Sequence, residues 1–152
     1  MKAFILACFA FAVTAWSPAA PRAQGQPEKV DKLVAVVHAD NKITKIAKSS
    51  VKAMFLGQTT FWANDVRVKP YNRAHTGTTG KLFFKNILGM APSRYRHHWQ
   101  KLQLSGQGVE PDVVGTAAAL VGKVAASPGA IGYMLESEAS AIDSRVKLVP
   151  IE

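Results

Sequence analysis

Residues Tyr71 to Asn86 read Y-N-R-A-H-T-G-T-T-G-K-L-F-F-K-N, a strand end that turns through threonines and glycines into an amphipathic helix. This geometry builds an anion site. The first turn of a helix leaves backbone N–H groups without partners and carries partial positive charge, Gly77 lets a ligand approach the backbone, and Thr76 and Thr78 add hydroxyl donors. Arg73 can offer a two-pronged guanidinium to the same oxyanion. The alternative is an ordinary threonine-capped helix with Arg73 on the surface.

On either side of this turn, strands and helices alternate. Lys32 to His38 is a short, nearly continuous apolar run that predicts a strand covered on both faces. Ser49 or Ser50 can cap a helix from Val51 to Leu56 that Gly57 ends, and Val66 to Tyr71 alternates as a strand does, with Pro70 placing it near an edge. The helix from Thr79 to Leu88 should bury Leu82, Phe83, Phe84 and Ile87 and stop at Gly89. Pro92 opens another, with Tyr95, Trp99 and Leu102 at helical spacing, and Thr116 a third through Leu120, Val121 and Val124. Ala130 to Met134 and Val146 to Val149 close the chain as strands. This order predicts an α/β fold with a small mixed sheet flanked by helices.

The N-terminus follows the plan of a secretory signal peptide, here residues 1–23. Met1-Lys2 is basic, Ala3 to Trp16 is apolar apart from Thr14, and Ser17-Pro18-Ala19-Ala20-Pro21 breaks the run. The run is shorter than a membrane span needs. Cleavage after Ala15 or after Ala23 fits equally, and residues 24–152 then form one domain with a single core, placed in the periplasm. Cys8 is the only cysteine, so the mature chain would have neither disulfide nor thiol chemistry. With 48% hydrophobic and 19% charged residues the composition is globular. Without Lys2 and Arg22, 17 of the 19 basic residues face 10 acids, a balance of +7 that favours anionic partners. Export disfavours nucleic acid among them.

Several stretches carry a resemblance. Asn41 with Ile43 and Ile46, the Val51-Lys-Ala-Met-Phe-Leu-Gly57 helix, Trp62, the Arg73 to Thr78 turn and Pro128-Gly-Ala-Ile-Gly-Tyr133 follow one another as in the substrate-binding proteins of ABC phosphate uptake. The chain resembles the second lobe of that type 2 periplasmic-binding-protein fold over nearly all of residues 24–152. It is most similar to short exported proteins with a single such lobe, which share the Leu88-Gly-Met-Ala-Pro-Ser93 helix start.

The resemblance implies a solute-binding role, with inorganic phosphate or another oxyanion as ligand and an ABC permease or envelope protein as partner. The family's turn reads Arg-x-Asp-x-Ser-Gly-Thr. Arg73 matches its arginine, Thr76 stands for the serine, and Gly77 and Thr78 match directly. His75 takes the aspartate's place and the turn is one residue shorter, so Arg73 is expected to lack its orienting carboxylate. His75, when protonated, adds attraction. Family members close two lobes on the ligand, whereas this chain has length for one. Millimolar affinity, about 4 kcal/mol, is expected unless a second chain, as in a homo-oligomer, completes the cleft. The alternative is a periplasmic interaction module with no small-molecule ligand.

Other constellations are poorer. Gly77-Thr-Thr-Gly80-Lys81 lacks the glycine and the hydroxyl residue that a nucleotide-binding P-loop needs at His75 and Leu82. His97 and His98 point about 100° apart on a helix and cannot easily chelate one metal. No nucleophile signature or acid–base pair suggests an enzyme, and no cofactor or metal is expected. The helix from Arg94 to Lys101 could offer Tyr95 and Trp99 to a polyanion, but i, i+4 aromatics are also how a helix packs on a sheet.

Overall fold

The computed structural model describes residues 31–152, so the signal-peptide assignment to residues 1–23 lies outside the described residues. Four strands form the main sheet: β1 (Leu33–His38), β2 (Lys69–Pro70), β5 (Ala130–Leu135) and β6 (Val146–Pro150), in the order β2-β5-β1-β6. β1 runs antiparallel to both β5 and β6, with Ala35 opposite Tyr133 and Val37 opposite Ile131, while β2 lies parallel to β5. A small second sheet pairs β3 (Asn72–Arg73) with β4 (Val113–Val114) in parallel.

The apolar run at β1 and the fully buried β5 have the same cause: helices cover both faces of the sheet. On one face, Ala35, Val37, Ile131 and Tyr133 pack against α1 (Lys48–Phe55), α2 (Thr78–Phe83) with the π-helical turn Phe84–Leu88 that continues it, and α3 (Pro92–Leu104). On the other, Val36, Ala130 and Met134 meet α4 (Ala117–Ala125) through Leu120, Val121 and Val124. The sheet expected from the sequence is therefore present, and Thr116 caps α4 by accepting from the Ala119 N–H at 3.1 Å. Gly89 ends the π turn in the left-handed region, φ 64°.

Three local expectations change. α1 starts at Lys48 and has no serine cap. Ile46 bridges Ile151 and the Lys48 N–H donates to the Glu152 carbonyl at 2.7 Å, so the C-terminal strand satisfies the first helical N–H instead. The strand expected over Val66 to Tyr71 contracts to β2, because Trp62 N–H to Val66 carbonyl and Val68 N–H to Thr60 carbonyl bonds tie its first half into a local hairpin. Leu82 is only half-buried, while Phe83, Phe84 and Ile87 are buried as expected, Phe83 stacked on Tyr133 with ring centroids 3.6 Å apart and planes 3° from parallel.

Candidate functional site

The stacked Tyr133 aligns the phenol that fixes the start of the turn. Its hydroxyl accepts from the Arg73 N–H at 3.0 Å and donates to Asn72 Oδ1 at 3.2 Å. Asn72 Nδ2 in turn donates to the Tyr95 hydroxyl at 3.0 Å, and Tyr95 donates to the Phe55 carbonyl at 3.0 Å. Burial pushes both phenols well above their ordinary pKa, so they remain neutral donors. Tyr95 and Trp99 are buried, which resolves their role as core packing.

Arg73 is buried, 9% exposed, and its guanidinium is not on the surface as the threonine-capped alternative required. It meets Glu138, in the short 3₁₀ segment Glu136–Ala141 that follows β5, with Nη2 to Oε1 at 2.9 Å and a longer Nη1 to Oε2 contact at 3.5 Å. Glu138 Oε2 also accepts from Thr79 Oγ1 and from the Leu135 N–H, each at 3.0 Å. Partial burial pushes this carboxyl up, but the Leu135 N–H, the Arg73 guanidinium and the Thr79 hydroxyl outweigh it and hold the group below its ordinary range. The expected loss of an orienting carboxylate is thus corrected: Arg73 has one, delivered from the far end of β5.

The helix cap also differs from the threonine-capped alternative. Gly77, in extended conformation, is the N-cap of α2, and no side chain caps it. The turn is held by Gly77 N–H to Ala74 carbonyl and Lys81 N–H to Gly77 carbonyl bonds of 3.1 and 2.9 Å. The N–H groups of Thr78, Thr79 and Gly80 have no acceptor among the described residues. They stand beside a depression of about 340 Å³ lined by Arg73, Gly77, Thr78, Gly80 and Glu138 among others. A Cβ at Gly80 would collide with the Ala74 carbonyl, so the turn closes this tightly only around glycine.

Of the residues singled out from the sequence, Arg73, Gly77 and Thr78 meet at this depression. Thr76 is exposed and does not line it. His75 is exposed as well, turned edge-on to Phe84 at 6.4 Å, and lines a neighbouring depression with Arg96 and Glu110 on the other side of Arg73, which lines both. Sequence reasoning missed Thr79 and Glu138. The only signal for Glu138 is its place among the acids just after the closing Gly132-Tyr-Met-Leu135 strand, 65 residues from Arg73. Among the described residues no group of three or more His, Cys, Asp or Glu side chains converges as a metal needs, and no helix is long and apolar enough to cross a membrane.

No protein-family model and no curated protein matches the sequence. Solved structures do. An ABC-type phosphate transport receptor from Vibrio cholerae superposes with a TM-score of 0.60 at 18% identity, over 80% of this chain and 46% of the receptor. PstS from Borrelia burgdorferi gives 0.61 at 17%, over 80% and 47%. A Clostridium perfringens structure with bound phosphate gives 0.61 at 18%, over 80% and 45%. The class is therefore defined at the level of fold: the described chain is an α/β lobe of the kind found in phosphate ABC transporter substrate-binding proteins. It spans less than half the length of those relatives.

Proposed function

We propose that this lobe is an exported binding module that captures an inorganic oxyanion, phosphate or a similar ion, at the turn between β3 and α2. One observation carries the reading: the unpartnered N–H groups of Thr78, Thr79 and Gly80 stand at the depression whose wall is the buried Arg73. Thr78 adds an exposed hydroxyl, and Glu138 holds the guanidinium in one orientation as an orienting carboxylate does. The reading is one of binding without catalysis. Export is supported by the layout of residues 1–23.

Each hydrogen bond to an ionised oxyanion contributes about 1.5 to 3 kcal/mol, but an open depression leaves the ion partly hydrated and the Glu138 charge opposes it. The balance is a dissociation constant in the millimolar range, about 4 kcal/mol. Tighter capture requires a second surface over the depression, supplied by another copy or by an envelope partner such as a permease. Isothermal titration with phosphate and sulfate tests this. Saturable binding that Arg73→Ala weakens supports the site. No binding up to about 10 mM, well above such a constant, favours instead an interaction module that takes no small-molecule ligand.

A further inference from the structure

Charge is distributed very unevenly along this chain. Between Asn41 and Leu104 there are twelve Lys or Arg residues and a single acid, Asp65. The fold gathers the helical share of them into one layer, because α1, α2 with its π turn, and α3 all cover the same face of the sheet while α4 covers the other. That layer carries Lys48 and Lys52, Lys81 and Lys85, and Arg94, Arg96 and Lys101, and no acid. None of the seven takes part in an ion pair among the described residues. Six are exposed and Lys52 is half-buried.

The fold does not require this arrangement. Arg94 and Arg96 sit near the N-terminus of α3, where the helix dipole disfavours cations, and the first turn has no acid to offset them. The outer side of α3, opposite the buried Tyr95 and Trp99, runs through His97 to Leu104, which is 90% exposed.

We infer that the α1–α3 face is a docking surface for an anionic lipid bilayer, independently of the oxyanion site. Cations spread over three helices of one layer match a surface of many anionic headgroups, and Lys and Arg keep their charges at headgroup level while their stems lie along apolar matter. Leu104 supplies an apolar contact at the end of that face. A single-stranded polyanion fits less well, because it is held by stacking and the Phe, Tyr and Trp side chains of these helices, Phe55, Phe83, Phe84, Tyr95 and Trp99, are all buried.

Cosedimentation of the full chain with phosphatidylcholine vesicles, with and without phosphatidylglycerol, tests the inference. Binding should require phosphatidylglycerol and fall about tenfold or more as salt screens the headgroups. The exposed pair Lys85→Glu with Arg94→Glu should weaken it about tenfold, and the exposed pair Lys32→Glu with Lys123→Glu, off this layer and equal in charge change, about twofold or less. The apolar N-terminal segment is common to both variants and cancels from the comparison. Equal losses in the two variants, or binding indifferent to phosphatidylglycerol, overturns the inference. So does face-dependent binding to heparin or polyphosphate without binding to vesicles.

Discussion

The Arg73 guanidinium and the Glu138 carboxylate, 65 residues apart in sequence, meet at 2.9 Å on the wall of the candidate site. The turn does not carry its own orienting acid, and the end of β5 supplies one. Removing that acid leaves a guanidinium whose side chain is 10% exposed without its counter-charge. Glu138→Ala should therefore cost about 2 to 3 kcal/mol in urea unfolding, and Glu138→Gln less, because the amide keeps part of the hydrogen bonding. A loss below about 0.5 kcal/mol in the alanine variant would mean that the pair does not position Arg73.

The same contact sets a pH dependence. Glu138 is held below its ordinary carboxyl range in the fold, so its contribution is fully present above that range and disappears as pH falls through the lowered value. Wild-type urea midpoints should drop more steeply than those of Glu138→Gln between about pH 5 and pH 3. Parallel profiles would remove Glu138 from the acid sensitivity.

Phe83 and Tyr133 test the support beneath the turn. Phe83→Ala removes a fully buried ring stacked at 3.6 Å and should cost about 3 to 5 kcal/mol. Tyr133→Phe keeps the stack but strands the buried Arg73 N–H and Asn72 Oδ1, for about 1 to 3 kcal/mol. If Tyr133→Phe unfolds at the wild-type urea concentration, the hydroxyl does not anchor β3.

Much of this fold is legible in sequence because its signals are local. The apolar run at Leu33 to Val37, the Thr116 cap and the Gly89 stop each act within a few residues, and they place β1, α4 and the end of the π turn correctly. What escapes the sequence depends on distant partners. The start of α1 is fixed by Glu152, roughly a hundred residues away, and a serine-cap rule cannot see it. The alternation from Val66 to Tyr71 suits a strand, but hydrogen bonds to Thr60 and Trp62 claim half of it. At the site, Arg73, Gly77 and Thr78 are readable because the end of β3 and the first turn of α2 are only a few residues apart in sequence. Thr76 and His75 turn away because Gly77, not a threonine, begins the helix.

Gly80 gives a prediction specific to the turn. Since a Cβ would strike the Ala74 carbonyl, Gly80→Ala must open the first turn of α2. It should lower stability by about 1 to 3 kcal/mol and weaken sulfate binding by an order of magnitude or more. His75→Ala should leave that binding within about twofold, as the side chain lines a different depression. The reverse pattern in isothermal titration would relocate the ion to the His75 side.

Amide chemical shifts followed during titration with phosphate or sulfate test the anion site most directly. The N–H signals of Thr78, Thr79 and Gly80 should move together along one saturable curve with a millimolar midpoint, while those of α4 stay fixed, and Arg73→Ala should shift that midpoint to higher concentration. Unmoved Thr78 to Gly80 amides at about 10 mM of either ion, or small drifts spread evenly over the chain, would contradict oxyanion capture at this turn.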